Sequence, residues 1–340
     1  MVQLLKFKEQ LFTFISKYEA FVKAGVQFVI AFVSFSLINN RINGMEGLDN
    51  PAIIALFALV CAFLPSGVMV FVGAILILLN FYSVSIELAA LTFILFIIFY
   101  FVYYRFASGK GIYTMLTGIF STFQIPFIMP TTVGLMEEPQ NIISVLIGSV
   151  VYFLIRNVNE NKALFTLVAS EGSHVSVITL IVSQILTNVE MYIYIIAFVV
   201  SSIMVYVIRR SGINHCQGVA VVVGGLIQML IIGGGKIWLG STTSFAVVVI
   251  GCLISMGICF LLSVMILSLD YSRAEKLVFE DDEYCYYVKA VPKISVAAQN
   301  MQVTTINPKE EKKEEPEEEF DWDKIPELDF EKAKEKKQKE

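Results

Sequence analysis

The sequence predicts an all-α integral membrane protein of about ten transmembrane helices, with a small cytosolic β-hairpin and a disordered tail. Composition points there first: 56% of the residues are hydrophobic and 16% are charged, where soluble domains are nearer a quarter charged. Only 13 charged residues fall between Pro51 and Leu269, a stretch of successive apolar runs long enough to cross about 30 Å of hydrocarbon. Charge is also unevenly placed. Residues 309–340 hold 14 acids and 9 lysines, which accounts for the whole net charge of −5. The acidity therefore belongs to a tail, and nothing resembles a basic groove for nucleic acid.

Residues 1–20 open the chain as an amphipathic interfacial helix. Leu4, Phe7, Leu11, Phe14 and Tyr18 recur at helical spacing, opposite Lys6, Thr13 and Lys17, a pattern that suits a lipid headgroup surface. The transmembrane domain covers 21–269. Its first span lies near 21–40. The runs 52–64 and 68–81 flank Pro65-Ser66-Gly67 and are each roughly 20 Å long at about 1.5 Å per residue, so they read as a re-entrant hairpin or two short spans. Further spans are expected at 86–106, 111–130, 140–156, 172–188, 189–208, 216–233 and 244–268, with Pro126 and Pro130 breaking the 111–130 span near its outer end.

Orientation follows from the basic residues. If 52–81 leaves and returns, then Lys6, Lys8, Lys17, Lys23, Arg105, Lys110, Arg156, Lys162, Arg209, Arg210, Arg273 and Lys276 share one side, and Arg41 and Lys236 the other. That asymmetry places the first side, with both termini, in the cytoplasm. An offset of 103 also aligns like with like: Glu87 with Glu190, Val102-Tyr103 with Val205-Tyr206, and VLIGSVV (145–151) with VVIGCLI (248–254). ALFALV (55–60) matches ALFTLV (163–168) after a short deletion. These matches suggest a parallel internal duplication, with repeats 55–156 and 163–268.

Signals for chemistry are sparse. His174 and His215 have no acid at ligand spacing, Glu171-Gly172-Ser173-His174 is no nucleophile elbow, and Gly233-Gly234-Gly235-Lys236 lacks the second half of a phosphate loop. The five cysteines are scattered without metal or disulfide spacing. The expectation is a non-enzyme with no cofactor and no metal. The polar residues inside spans are Asn80, Gln124, Gln184, Gln217 and Gln228. Interhelical hydrogen bonds would account for them, while Asn80, Gln124, Gln184 and Gln228 would line a solute path if the protein transports.

After the last span, residues 270–300 alternate as a hairpin would. Leu277 and Phe279 fall on one face of a first strand, Tyr284, Tyr286 and Val288 on one face of a second, and Glu280 to Glu283 form the loop. A lone hairpin is marginal in water and needs a surface to lean on. Residues 301–319 form a charged linker too polar to fold. Residues 320–340 then return five large apolar groups, Phe320, Trp322, Ile325, Leu328 and Phe330, at the end of that tether, which reads as a short docking motif.

The tract LDYSRAEKLVFEDDEYCYYVKAVPK (269–293) resembles one found after the last transmembrane helix in a poorly characterised family of multi-pass membrane proteins of Gram-positive, clostridia-like bacteria. The resemblance implies a bacterial plasma membrane and cytosol, and no particular reaction. Two functions are expected. The first is an anchor or scaffold, free to self-associate, that recruits a cytosolic or membrane protein through Phe279, Tyr284, Tyr286, Tyr287, Phe320, Trp322, Leu328 and Phe330. The alternative is a transporter or permease-like subunit for a small solute.

Overall fold

The structure, a computed structural model, describes residues 10–42 apart from residue 12, then 44, 50–165, 179, 182–183, 187–211, 215–239, 245–266, 275–280 and 285–290. Its described helices are α1 (Glu19–Ile42), α2 (Pro51–Ala62), α3 (Ser66–Tyr82), α4 (Ile86–Phe106), α5 (Gly111–Thr122), α6 (Ile128–Met136), α7 (Ile142–Glu160), α8 (Val189–Arg209), α9 (Cys216–Leu239) and α10 (Phe245–Ile266). A 3-10 turn, Pro139–Asn141, leads into α7.

Helix boundaries follow local chemistry. Asn50 caps α2 by accepting the Ala52 amide, and Pro51 takes the first helical position, where a missing N–H costs nothing. Ser85 and Asn188 cap α4 and α8 through the amides of Leu88 and Met191. Each of those helices carries an acid in its first turn, Glu87 or Glu190, complementing the positive end of the helix dipole.

Six helices, not ten, are long and apolar enough among the described residues to cross a membrane: α1, α4, α7 with its 3-10 turn, α8, α9 and α10. The shortfall has physical causes. Pro65 separates α2 from α3, which remain two shorter apolar helices. The expected span 111–130 is instead a fold-back, in which α5 runs in and α6 returns. Lys110 Nζ lies 2.6 Å from a Glu137 carboxylate oxygen and the Tyr113 hydroxyl donates to the same group at 2.8 Å, so the two ends of 110–137 sit side by side. The expected span 172–188 lies almost wholly outside the described residues. Its flanks do not: Glu160 and Glu190 both pair with Arg156, so the segment between them begins and ends at one end of the bundle.

That geometry corrects the sorting of charges. Lys162 donates to the Ile42 carbonyl at 3.1 Å, and Arg156 lines one chamber with Arg41. Arg156 and Lys162 therefore lie at the Arg41 end of the bundle and not with Arg105 and Lys110. The miscount arose because the fold-back, read as a span, reversed the sense of everything up to residue 188.

The core is built around α6, which buries all but its last residue. Phe127, Val133, Phe198, Val205, Val221 and Cys252 are among the side chains packed there. A separate cluster joins α1, α2, α3 and α5 through Phe35, Ala58, Met69 and Met115. After α10, the backbone of β1 (Glu275–Glu280) pairs antiparallel with β2 (Cys285–Ala290), with Leu277 opposite Val288 and Phe279 opposite Tyr286. Glu280 thus belongs to β1, where the sequence reading put it in the loop. Tyr284 lies outside the described residues.

Candidate functional site

The feature that organises the membrane domain is the tip of the fold-back. α5 ends in paired reverse bonds: Ile125 N–H donates to the Phe120 carbonyl at 2.9 Å and Gln124 N–H to that of Ser121 at 3.1 Å. This C-terminal motif requires a left-handed residue, and Gln124 supplies it at φ 62°. Glycine usually takes that position. Pro126 follows and prevents the helix from resuming. Pro130 falls in the first turn of α6, where its missing N–H would have had no intrahelical partner. A pair of prolines that would be costly within one helix is thus placed where neither breaks a bond.

The tip closes one side of a chamber of about 250 Å³ at the Arg41 end of the bundle. Arg41 comes from the last turn of α1, Ser121 and Gln124 from the tip, and Ser149, Tyr152, Arg156 and Glu160 from α7. Glu190 and Tyr194 enter from α8, and Val247 and Val248 from α10. Arg156 is shared between two carboxylates, with Nε 2.9 Å from Glu160 Oε1 and Nη1 3.4 Å from Glu190 Oε2. Arg41 Nη2 donates to the Thr122 carbonyl at 3.4 Å, placing a cation at the negative end of the α5 dipole. Among the described residues no carboxylate lies within ion-pair distance of Arg41. All four charged side chains line this one chamber together with Tyr152.

Deeper in the bundle a polar layer joins α6, α8 and α9. Gln228 of α9 is fully buried, and its Nε2 donates to Ser201 Oγ of α8 at 2.7 Å and to Thr131 Oγ1 of α6 at 3.1 Å. The Ser201 hydroxyl in turn donates a hydrogen bond to the Gly224 carbonyl, and the Thr131 hydroxyl to that of Phe127. Gln228 Oε1 has no hydrogen-bond partner among the described residues.

A second, larger space adjoins the chamber. It is an apolar groove of about 870 Å³ between α1, α3, α4, α5 and α7. It extends from Pro65 and Gly109, at the Lys110 end, to Arg41 at the other. The groove and the chamber share three lining residues, Arg41, Tyr152 and Arg156.

The sequence-predicted path residues separate in the structure. Gln124 lines the chamber. Gln228 belongs to the polar layer that joins α6, α8 and α9. Asn80 serves the fold, accepting the Gly44 amide and donating to the Leu76 carbonyl, and so ties the end of α3 to the chain after α1. Gln184 lies outside the described residues. Of the expected docking residues, Phe279, Tyr286 and Tyr287 stand on the paired strands, with Tyr286 exposed. Tyr284, Phe320, Trp322, Leu328 and Phe330 lie outside the described residues.

Sequence reasoning missed Arg41, Tyr152, Arg156, Glu160 and Glu190 as one constellation. Two signals pointed to it: the i, i+4 spacing of Arg156 and Glu160, and the Gln-Ile-Pro that halts α5. The arrangement is a charged pocket for a polar group. Among the described residues no group of His, Cys, Asp and Glu is placed to hold a metal ion. No family model, no curated protein and no solved structure matches this chain.

Proposed function

We propose that the protein is a permease-like component of a bacterial plasma membrane, with the chamber as its binding site and the Lys110 end, which carries the strand pair, facing the cytosol. The observation that supports this reading is a helix fold-back whose tip borders, at one end of a bundle of apolar helices, a chamber lined by four charged side chains. Broken helices that offer backbone groups and charges to a solute are the usual construction of a transport site. Five bases, Lys23, Arg105, Lys110, Arg209 and Arg210, lie at that end against four, Arg41, Arg156, Lys162 and Lys236, at the other, a margin of one. The matching caps and bounds of α4 and α8 support an origin by duplication.

Thiol labelling tests the reading, with the parent chain as background. Gln124→Cys is expected to react with a membrane-impermeant reagent from outside intact cells. Ser201→Cys, in the polar layer that joins α6, α8 and α9, is expected to react from the cytosolic face in inverted vesicles, because transport to that face requires the layer to part. Labelling at 124 with none at 201 from the cytosolic face would make the chamber a dead end and defeat the proposal.

One observation favours the scaffold as a second role. Val278 and Tyr286 are both exposed, at 60% and 49%, and the register puts them on opposite faces of the strand pair. A ribbon with an apolar group on each face offers a partner either face or an edge. Affinity capture with a Val278→Lys, Tyr286→Lys double variant is expected to lose a protein that the parent chain retains. Identical captured proteins from both would remove this role.

A further inference from the structure

Resting on the permease reading, we infer that the substrate is a membrane lipid with a zwitterionic phosphate-and-amine head, held with its head in the chamber and a hydrocarbon chain in the groove. Three observations carry this. The first is adjacency. A charged chamber and an apolar groove that lie side by side, with Arg41, Tyr152 and Arg156 lining both, suit the two ends of one amphiphile, because a wholly polar solute would leave the groove unused. The second is the direction of the groove. It follows the helix axes from Pro65 and Gly109 to Arg41, the path a lipid tail takes in a bilayer, and it lies beside α4, whose Phe93, Ile97, Tyr100 and Phe101 are exposed.

The third is the pattern of charge. Arg156 serves both Glu160 and Glu190, so that trio carries one net negative charge. Arg41 supplies one positive charge and has no carboxylate partner among the described residues. A chamber with separated charges of opposite sign and a net charge of zero complements a head with the same property reversed. The phosphate would lie at Arg41, which can donate more than one hydrogen bond to it. The ammonium would lie toward Glu160, whose side chain is 58% exposed. A primary amine donates hydrogen bonds to a carboxylate and a quaternary ammonium cannot, so an ethanolamine head fits better than a choline head.

The groove offers a clean handle. Gly118 lies on its wall, and a Cβ built there meets nothing within 4 Å. Gly118→Leu therefore fills the groove while α5 keeps its packing.

The test is binding of tail-labelled fluorescent lipids to the detergent-purified full chain, comparing phosphatidylethanolamine, phosphatidylglycerol and phosphatidylcholine with identical tails. Phosphatidylethanolamine is expected to bind about tenfold more tightly than either other lipid, the worth of one charge-assisted hydrogen bond. Arg41→Gln is expected to reduce its affinity about tenfold. Gly118→Leu is expected to weaken all three lipids alike, without lowering the thermal midpoint of the protein. Equal binding of the three lipids, or a Gly118→Leu variant that binds as the parent does, would overturn the inference. The two proposals fail separately: lipid selectivity with a closed Ser201→Cys layer keeps the lipid site and removes transport, and an open layer without selectivity keeps transport and removes the lipid.

Discussion

Helices α4 and α8 begin alike and end in different surroundings. Their bounds differ by 103 positions at both ends, each has a capping side chain bonded to its third amide, and each carries glutamate at its second position. Yet α8 buries nine residues, and α4 buries Leu88, Thr92 and Tyr103 alone. The difference lies in what comes next. α9 brings Gly224 against Val205 and Ser201 of α8, and Gly235 against Ile193, so the two helices close on each other. α5 turns its Gly111 toward Ser66 of α3 and leaves Gly118 open, and the groove stands where the second half has a helix contact. The second half is packed shut where the first is left open, which places the groove in the first half, while the chamber draws its lining from both.

The last helices differ more. α9 and α10 are antiparallel, since Gly225 meets Met256 and Gly233 meets Phe245. α7 runs alongside α5 in the same direction, with its start bonded to Glu137 beside Lys110, and Gly148 against Thr114 and Thr117. The matched segments 145–151 and 248–254 therefore run in opposite senses, and the parallel relation expected from sequence stops at the fold-back.

Substitutions can sharpen this comparison. The largest effect is expected at the closed contact: Gly224→Leu forces α8 from α9 and should cost about 3 kcal/mol by overpacking, read as a fall in the unfolding midpoint in detergent. Equal tolerance of leucine at 224 and 118 would erase the distinction between the halves. Gln228→Leu removes two interhelical hydrogen bonds and should cost about 1 kcal/mol, the scale of such bonds in membranes. Glu190→Gln weakens the pairing with Arg156 and should cost more than Glu87→Gln at the matched position, whose interaction with its own cap is worth about 0.5 kcal/mol. Gly118→Ala should stabilise by about 0.5 kcal/mol, since a helical glycine in open space is replaced by a better helix former.

Much of the bundle was legible in the sequence. Pro65, Ser85, Asn50 and Asn188 each mark a boundary by local chemistry that needs no tertiary partner. The fold-back was not legible as a reversal. A helix that stops at Gln124 and Pro126 uses the same signals whether the chain continues forward or turns round, and only the Lys110–Glu137 contact distinguishes the two. The site was hidden for a related reason. Arg41, Arg156, Glu160 and Glu190 each stand near the end of an apolar run, where a charge is ordinarily solvated, and their convergence depends on the direction of α7.

The Lys110–Glu137 clasp has a consequence for how the chain enters the membrane. Because the charged residues flanking the fold-back emerge side by side, none of Lys110, Glu137 or Glu138 has to be carried through hydrocarbon when 111–136 inserts. With the Lys110 end cytosolic, as proposed above, the segment can slot in from the face on which it is synthesised, after α4 is in place. Severing the clasp with Glu137→Ala would then show itself first during biogenesis, as protein lost to quality control before any assay of the mature molecule.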